Sequence, residues 1–446
     1  MADISFDALL SVEADGPSTM RPRHVAAVVI GNALEFYDFL IFSYFAVYIG
    51  QAFFPAQGTG SGLLLSLATF GVGFLTRPVG AVVIGSMGDR VGRRPAMLLS
   101  FTLMGVGIVG LALTPSYARI GVAAPVLVLV FRLLQGFALG GEMGPATAFL
   151  TEAAPRDKRG FYTAMQMSSQ MLAQLLAGLV GTGLAILLTP EALSDWGWRL
   201  AMLIGAAVIP FGLLIRRDLP ETLHASVEPA PPAPASRKFG ASGKSDGGGA
   251  SDHAGLIALG LMLVLAGTIG TYVAAYMTTY ALTTLHMAAT MAFGIVIARS
   301  LVAIPVTVTS GWLSDKFGRK PLMLAPGVLL FASIVPVFRL IVDRHDATTL
   351  YAGMIWLAIL AGLAGPPILV TISESLPKHI RSGTLAIVYA VATSVFGGST
   401  QFIVAWLIGV TGDALAPAYY WTGALAIGLM AMVLIKESAP CRQGAK

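Results

Sequence analysis

The chain has 446 residues, of which 56% are hydrophobic and only 11% charged, with a formal net charge of +5. Soluble domains carry about 25% charged residues, so this composition excludes an ordinary soluble enzyme and describes a membrane protein of many spans. A single cysteine, Cys441, excludes an intrachain disulfide.

In chain order, residues 1–23 read as a polar tail. It holds Asp3, Asp7, Glu13 and Asp15 without a basic leading region, so no cleavable signal peptide is expected. Six apolar runs of membrane-spanning length follow, at 24–53, 61–87, 95–113, 122–151, 160–188 and 198–216. The stretch 218–253 is rich in Pro, Ala, Gly and Ser, cannot bury an apolar face, and is expected to be a disordered linker. Six more runs come after it, at 254–282, 287–313, 321–341, 350–376, 383–410 and 416–435. The expected division is a six-helix bundle over 24–217, the linker, a second bundle over 254–436, and a tail at 437–446. Of the 28 Lys and Arg residues, 21 fall in the tails and the loops of one face, 4 on the other face and 3 inside spans. The positive-inside rule then places both termini in the cytoplasm.

Two patterns recur at about half the chain length. GSMGDRVGRR (85–94) and GWLSDKFGRK (311–320) share G-x-x-x-D-[RK]-x-G-R-[RK], with their aspartates 226 positions apart. EAAPRDKRG (152–160) and ESLPKHIRSG (374–383) share E-x-x-P-x-x-x-R, with prolines offset by 222. The repetition points to duplicated halves. Gly92 and Gly318 suit tight turns. Asp89 and Asp315 suit pairing with Arg90, Arg93 and Arg319 or with a neighbouring helix N-terminus. With Glu152 and Glu374, these residues are candidates for a latch between halves that breaks during conformational change. An orientation signal with a structural turn would leave the same pattern.

Twelve spans with this doubled loop resemble the major facilitator superfamily of secondary transporters, and RLLQG (132–136) is similar to its R-x-x-Q-G signature. GNALEFYDF (31–39), FLTRPVGA (74–81), RLLQGFALGGE (132–142), KRGFYT (158–163) and DWGWRL (195–200) resemble its metabolite:proton symporter branch. TYVAAYMTTY (271–280), VFGGSTQF (395–402) and FYTAMQMSSQ (161–170) look most like the citrate and tricarballylate symporters. The resemblance implies an all-α fold of two pseudo-symmetric six-helix bundles with a site near the bilayer midplane. It also implies import of citrate or a related anion with protons by alternating access. The expected setting is a bacterial inner membrane, with no cofactor beyond the coupling proton, no nucleic-acid partner and a monomeric chain. Members of the branch that carry α-ketoglutarate, shikimate or proline and betaine supply the alternative.

Charges inside spans cost about 2.5–3.5 kcal/mol each at a helix centre. Glu35, Asp38, Glu142, Arg77, Arg132 and Arg299 should therefore face one another or a wet cavity. At about 1.5 Å per residue, Arg132 and Arg299 reach similar mid-depth, one in each half. A guanidinium holds a carboxylate through two parallel hydrogen bonds and does not deprotonate. Both are thus candidate substrate ligands, and Arg132 equally suits a structural pair with an acid of the first span. Arg77 suits pairing with Glu142 or gating. Uncharged candidates are Tyr272, Tyr276 and Thr279 in span seven, Gln166 and Gln170 in span five, and Asn32 beside Glu35. The tyrosine spacing also fits plain packing. Asp38, then Glu35, then Glu142 are the expected proton carriers, through a pKa raised by desolvation. All six histidines lie outside the expected membrane core and no metal-ligand spacing occurs, so an enzyme is not expected.

Overall fold

The computed structural model describes residues 33, 36–37, 39–54, 61–91, 93–140, 158–217, 254–376, 385 and 387–443. The expectations placed on Asn32, Glu35, Asp38, Gly92, Glu142, Glu152 and the 218–253 linker fall outside these residues. The side chains of Asp89, Arg90 and Arg93 do so too.

A helix lies in each of the twelve expected stretches, and no strand occurs among the described residues. Among the described residues, nine helices are long and apolar enough to cross a membrane. In the first half these are Ser61–Met87 (span two), Ala123–Gly140 (four) and Arg159–Leu187 (five). In the second they are Ala254–Thr283 (seven), Ala289–Phe317 (eight), Arg319–Arg344 (nine), Ala347–Ser375 (ten), Ile387–Thr411 (eleven) and Ala416–Leu434 (twelve). Span three is the helix Arg93–Leu113, whose apolar part, Leu98–Leu113, is shorter. Spans one and six, ending in Ala46–Phe53 and formed by Trp198–Arg217, are only partly described.

Local chemistry sets the ends and breaks. Span two is interrupted between Val72 and Arg77, where Pro78 opens the second helical segment. Proline disfavours helix at the residue before it and suits the first turn of a new one. Thr76 fills the break by donating to the Leu133 carbonyl of span four at 2.8 Å. Span ten begins on Asp346, whose carboxylate accepts from the Thr349 backbone at 2.8 Å, a side-chain N-cap. Pro305, Pro326, Pro336, Pro366 and Pro367 all sit inside second-half helices. Within a membrane such breaks are tolerated because packed neighbours re-satisfy the freed carbonyls.

Two close crossings join the halves. A side chain at Gly160 of span five would lie 2.6 Å from the Gly311 carbonyl of span eight, and one at Gly398 of span eleven 2.8 Å from that of Gly71 in span two. Only glycine permits backbones this close. The cores cross the same boundary. Phe293 and Val296 of span eight belong to the cluster centred on Phe39, Phe42, Phe45 and Phe70, while Ala46 and Leu67 belong to the cluster of the second half.

Candidate functional site

A cavity of about 220 Å³ lies between spans five, seven, eight, ten, eleven and twelve. Most of its wall is apolar, and Arg299 is the one charged residue among the described residues that line it. Gln170 and Gln174 reach it from span five, Thr271 and Tyr272 from span seven, and Tyr389 from span eleven. Arg299 is 7% exposed. Its Nη2 donates to Oε1 of Gln174 across the boundary between halves, and Tyr44 of span one faces the same guanidinium. Gln170 faces Tyr389, and Tyr272 faces Arg77.

Arg132 occupies a different environment. It is 1% exposed and is not among the residues that line the cavity, with Nη1 donating to Oε1 of Gln135 at 2.7 Å. Its guanidinium lies over the Phe42 ring at 4.4 Å, Phe39 at 5.1 Å and Phe70 at 5.2 Å. Arg77 lies over Phe74 at 4.0 Å and shares Phe39 at 4.5 Å. Each such contact is worth about 0.5–2 kcal/mol, and the aromatic rings partly replace water around both cations. No carboxylate among the described residues meets either arginine, and the Nε of each is buried without a hydrogen-bond partner.

Of the uncharged candidates, Gln170 and Tyr272 line the cavity with Arg299. Tyr276 is buried and turned to Thr283, Thr279 is buried with its hydroxyl unbonded, and Gln166 is buried away from the described lining. Gln174, Tyr44 and Tyr389 were not singled out from sequence. For Gln174 a signal existed: it continues the four-residue step of Gln166 and Gln170 by one more turn.

At the face that carries the basic loops, Asp315 sits between the halves. Its two oxygens accept from the backbone N–H groups of Gly160 and Phe161, each at 2.9 Å. It thereby caps span five of the first half. Arg319, fully buried, holds Asp315 at 2.6 Å and Glu374 at 3.2 Å. Glu374 in turn accepts from the Ser438 hydroxyl at 2.8 Å. Gly318, at φ 104, turns the chain between spans eight and nine, a conformation that favours glycine. Beside it, Glu437 accepts from the backbone N–H groups of Arg319 and Lys320 at 2.9 and 3.0 Å. This arrangement ties spans five, eight, nine and ten and the C-terminal tail into one connected network.

Three comparisons bear on the whole chain. Residues 28–400 match the family model described as Major Facilitator Superfamily. The chain is 33% identical to the citrate-proton symporter of Klebsiella pneumoniae, over 95% of this chain and 94% of that protein. It is 34% identical to the citrate-proton symporter of Salmonella typhi, over 94% and 95%. Among solved structures, the crystal structure of a D-xylose-proton symporter superposes with a TM-score of 0.74, covering 94% of this chain and 98% of that one. At 18% identity that last likeness establishes a shared fold.

Proposed function

The chain belongs to the Major Facilitator Superfamily, and we propose that it is a secondary active transporter importing citrate or a related di- or tricarboxylate together with protons. The observation that carries the substrate class is Arg299, a permanently charged guanidinium on the wall of a buried cavity, with amide and hydroxyl groups of both halves around it. Resemblance to two citrate-proton symporters along nearly the full length supports the same class.

In this reading Arg299 takes a carboxylate by paired hydrogen bonds, with Gln170 and Tyr272 beside it as further ligands. Arg132, packed on phenylalanines behind the cavity, acts from the second layer on the acids of spans one and four. Tyr276, Thr279 and Gln166 lie off the described cavity lining and play a supporting part, and Asn32 orients Glu35. Asp38, with Glu35 and Glu142, carries the proton: protonation releases an arginine from its acid and so readies it for the anion. Asp315, Arg319, Gly318 and Glu374, with their counterparts Asp89, Arg90, Gly92, Arg93 and Glu152, latch the face of the basic loops, and Arg77 belongs to the gate. That face is cytoplasmic, with both termini on it, in a bacterial inner membrane. The chain works as a monomer, without cofactor or nucleic acid.

The test is uptake by proteoliposomes of radiolabelled citrate, tricarballylate, α-ketoglutarate, shikimate and betaine, with and without an outside-acid pH gradient. Citrate or tricarballylate should accumulate only under the gradient. Uptake indifferent to the gradient removes proton coupling. A preference for betaine replaces the anion reading by that of a compatible-solute symporter.

A further inference from the structure

Burying a guanidinium demands a partner at every stage of a transport cycle, because an unpaired charge inside a protein is costly. The side chain that accepts from Arg299 is an amide, not an acid: Oε1 of Gln174 accepts from Nη2, and Tyr44 of span one faces the same guanidinium. Gln174 is itself 2% exposed, and it lines the same cavity as Arg299. It stands on span five of the first half, whereas Arg299 stands on span eight of the second. No carboxylate among the described residues reaches this guanidinium.

We propose that Gln174 is a positioning residue and a placeholder ligand: its amide oxygen holds Arg299 where a substrate carboxylate oxygen later binds, and it yields that place on loading. This rests on the anion reading and deepens it. The choice of an amide follows from energetics. To the same guanidinium a carboxylate offers a full opposite charge and two parallel hydrogen bonds, whereas an amide offers one neutral oxygen. An arriving carboxylate therefore displaces Gln174 downhill, whereas a glutamate at the same point would form an internal ion pair and compete with the cargo. Geometry adds a second consequence. The displaced bond spans the two halves, so loading dissolves one of their polar ties and puts the anion in its place. Substrate occupancy is thereby coupled to the interface that must rearrange.

The test uses the full-length protein in detergent and proteoliposomes, as wild type, Gln174→Met (similar volume, no acceptor) and Gln174→Glu. Gln174→Asn, whose shorter arm withdraws the acceptor, replaces either one that does not yield folded protein. The first readout needs no substrate. Phenylglyoxal modification of Arg299, followed by peptide mass spectrometry, should be fastest in Gln174→Met, intermediate in wild type and slowest in Gln174→Glu. The second is the citrate concentration that half-protects Arg299. It should be at least about tenfold higher in Gln174→Glu than in wild type, a step of about 1.4 kcal/mol, and no higher than wild type in Gln174→Met. A merely structural glutamine would leave the protecting concentration unmoved, and that result overturns the proposal, as does equal reactivity in all three proteins. Failure of citrate to protect wild-type Arg299 in vesicles that still accumulate citrate also overturns it, and leaves the transport reading intact. Absence of citrate uptake, with another carboxylate protecting Arg299 in the expected order, sustains the placeholder and removes citrate.

Discussion

Among the arginines at membrane depth, position relative to the cavity separates the roles. Arg299 opens onto the cavity, while Arg77 and Arg132 are clasped by phenylalanine rings and the shared Phe39. Arg299→Ala should raise the citrate dissociation constant by at least about thirtyfold, the effect of losing about 2 kcal/mol when one partner of a desolvated charge pair is truncated. Arg77→Ala should shift that constant by no more than about threefold and act on turnover instead, since its contacts are to Tyr272, Phe39 and Phe74. Equilibrium binding of radiolabelled citrate to the two purified variants checks both expectations, and equal losses would erase the distinction. The sequence showed that three arginines lie at depth, because hydropathy reports depth well. It did not show which of them meets the cavity, because a span's rotation about its own axis is set by neighbours far away in the chain.

At the scale of elements, the second-half loop and the tail form a unit held by carboxylates on helix N-termini. Burial opposes ionisation of Glu437, but backbone N–H groups of Ala439, Lys320, Arg319 and Ser438 outweigh it and hold the carboxyl below its ordinary value. A depressed pKa gives stability that is complete above the unfolded value, about 4.3 for Glu, and is lost as pH falls through the folded value. Thermal unfolding of wild type and Glu437→Gln in detergent should therefore show a constant gap from about pH 5.5 to 7 that closes below about pH 4. A gap that persists unchanged at the acid end would rule out the capping role. Asp315 and Glu374 were recognisable as latch candidates from the repeated loops, since a periodic motif survives without tertiary knowledge. Glu437 was not, because its partners lie 118 and 117 positions away. The π-helical turn Thr393–Gly397, set just before the glycine crossing at Gly398, is a second element that no local pattern announced. Such turns cluster where helices bend for function.

Across the whole molecule, the halves meet through glycine crossings, through Asp315 on the first turn of span five, and through Ser43 and Gln401 in spans one and eleven. The last pair is fully buried, with Ser43 donating to Oε1 at 2.9 Å and the amide nitrogen donating back at 2.6 Å. Alternating access requires contacts of this kind to separate. In a Cys441→Ser background, oxidising the Ser43→Cys, Gln401→Cys double variant should reduce citrate uptake to about a tenth or less, with recovery on reduction, provided the two sulfurs reach bonding geometry. Cross-linked protein that transports at the reduced rate would mean that this pair does not part during the cycle.

By itself, the sequence determined that the chain is a membrane protein of many helices, that its loop motifs repeat, and that it resembles a superfamily of secondary transporters. The first two follow from composition, periodicity and spacing, which are local or recurrent along the chain, and the resemblance is carried by short stretches such as RLLQG (132–136) and GNALEFYDF (31–39). Only the tertiary structure decided that Arg299 faces the cavity while Arg132 is packed on Phe39, Phe42 and Phe70, that Gln174 accepts a hydrogen bond from Arg299 across the halves, and that the tail carries a cap for span nine. Each depends on which faces of distant helices meet, and that is settled by close packing of side chains across the fold rather than by any pattern within one helix.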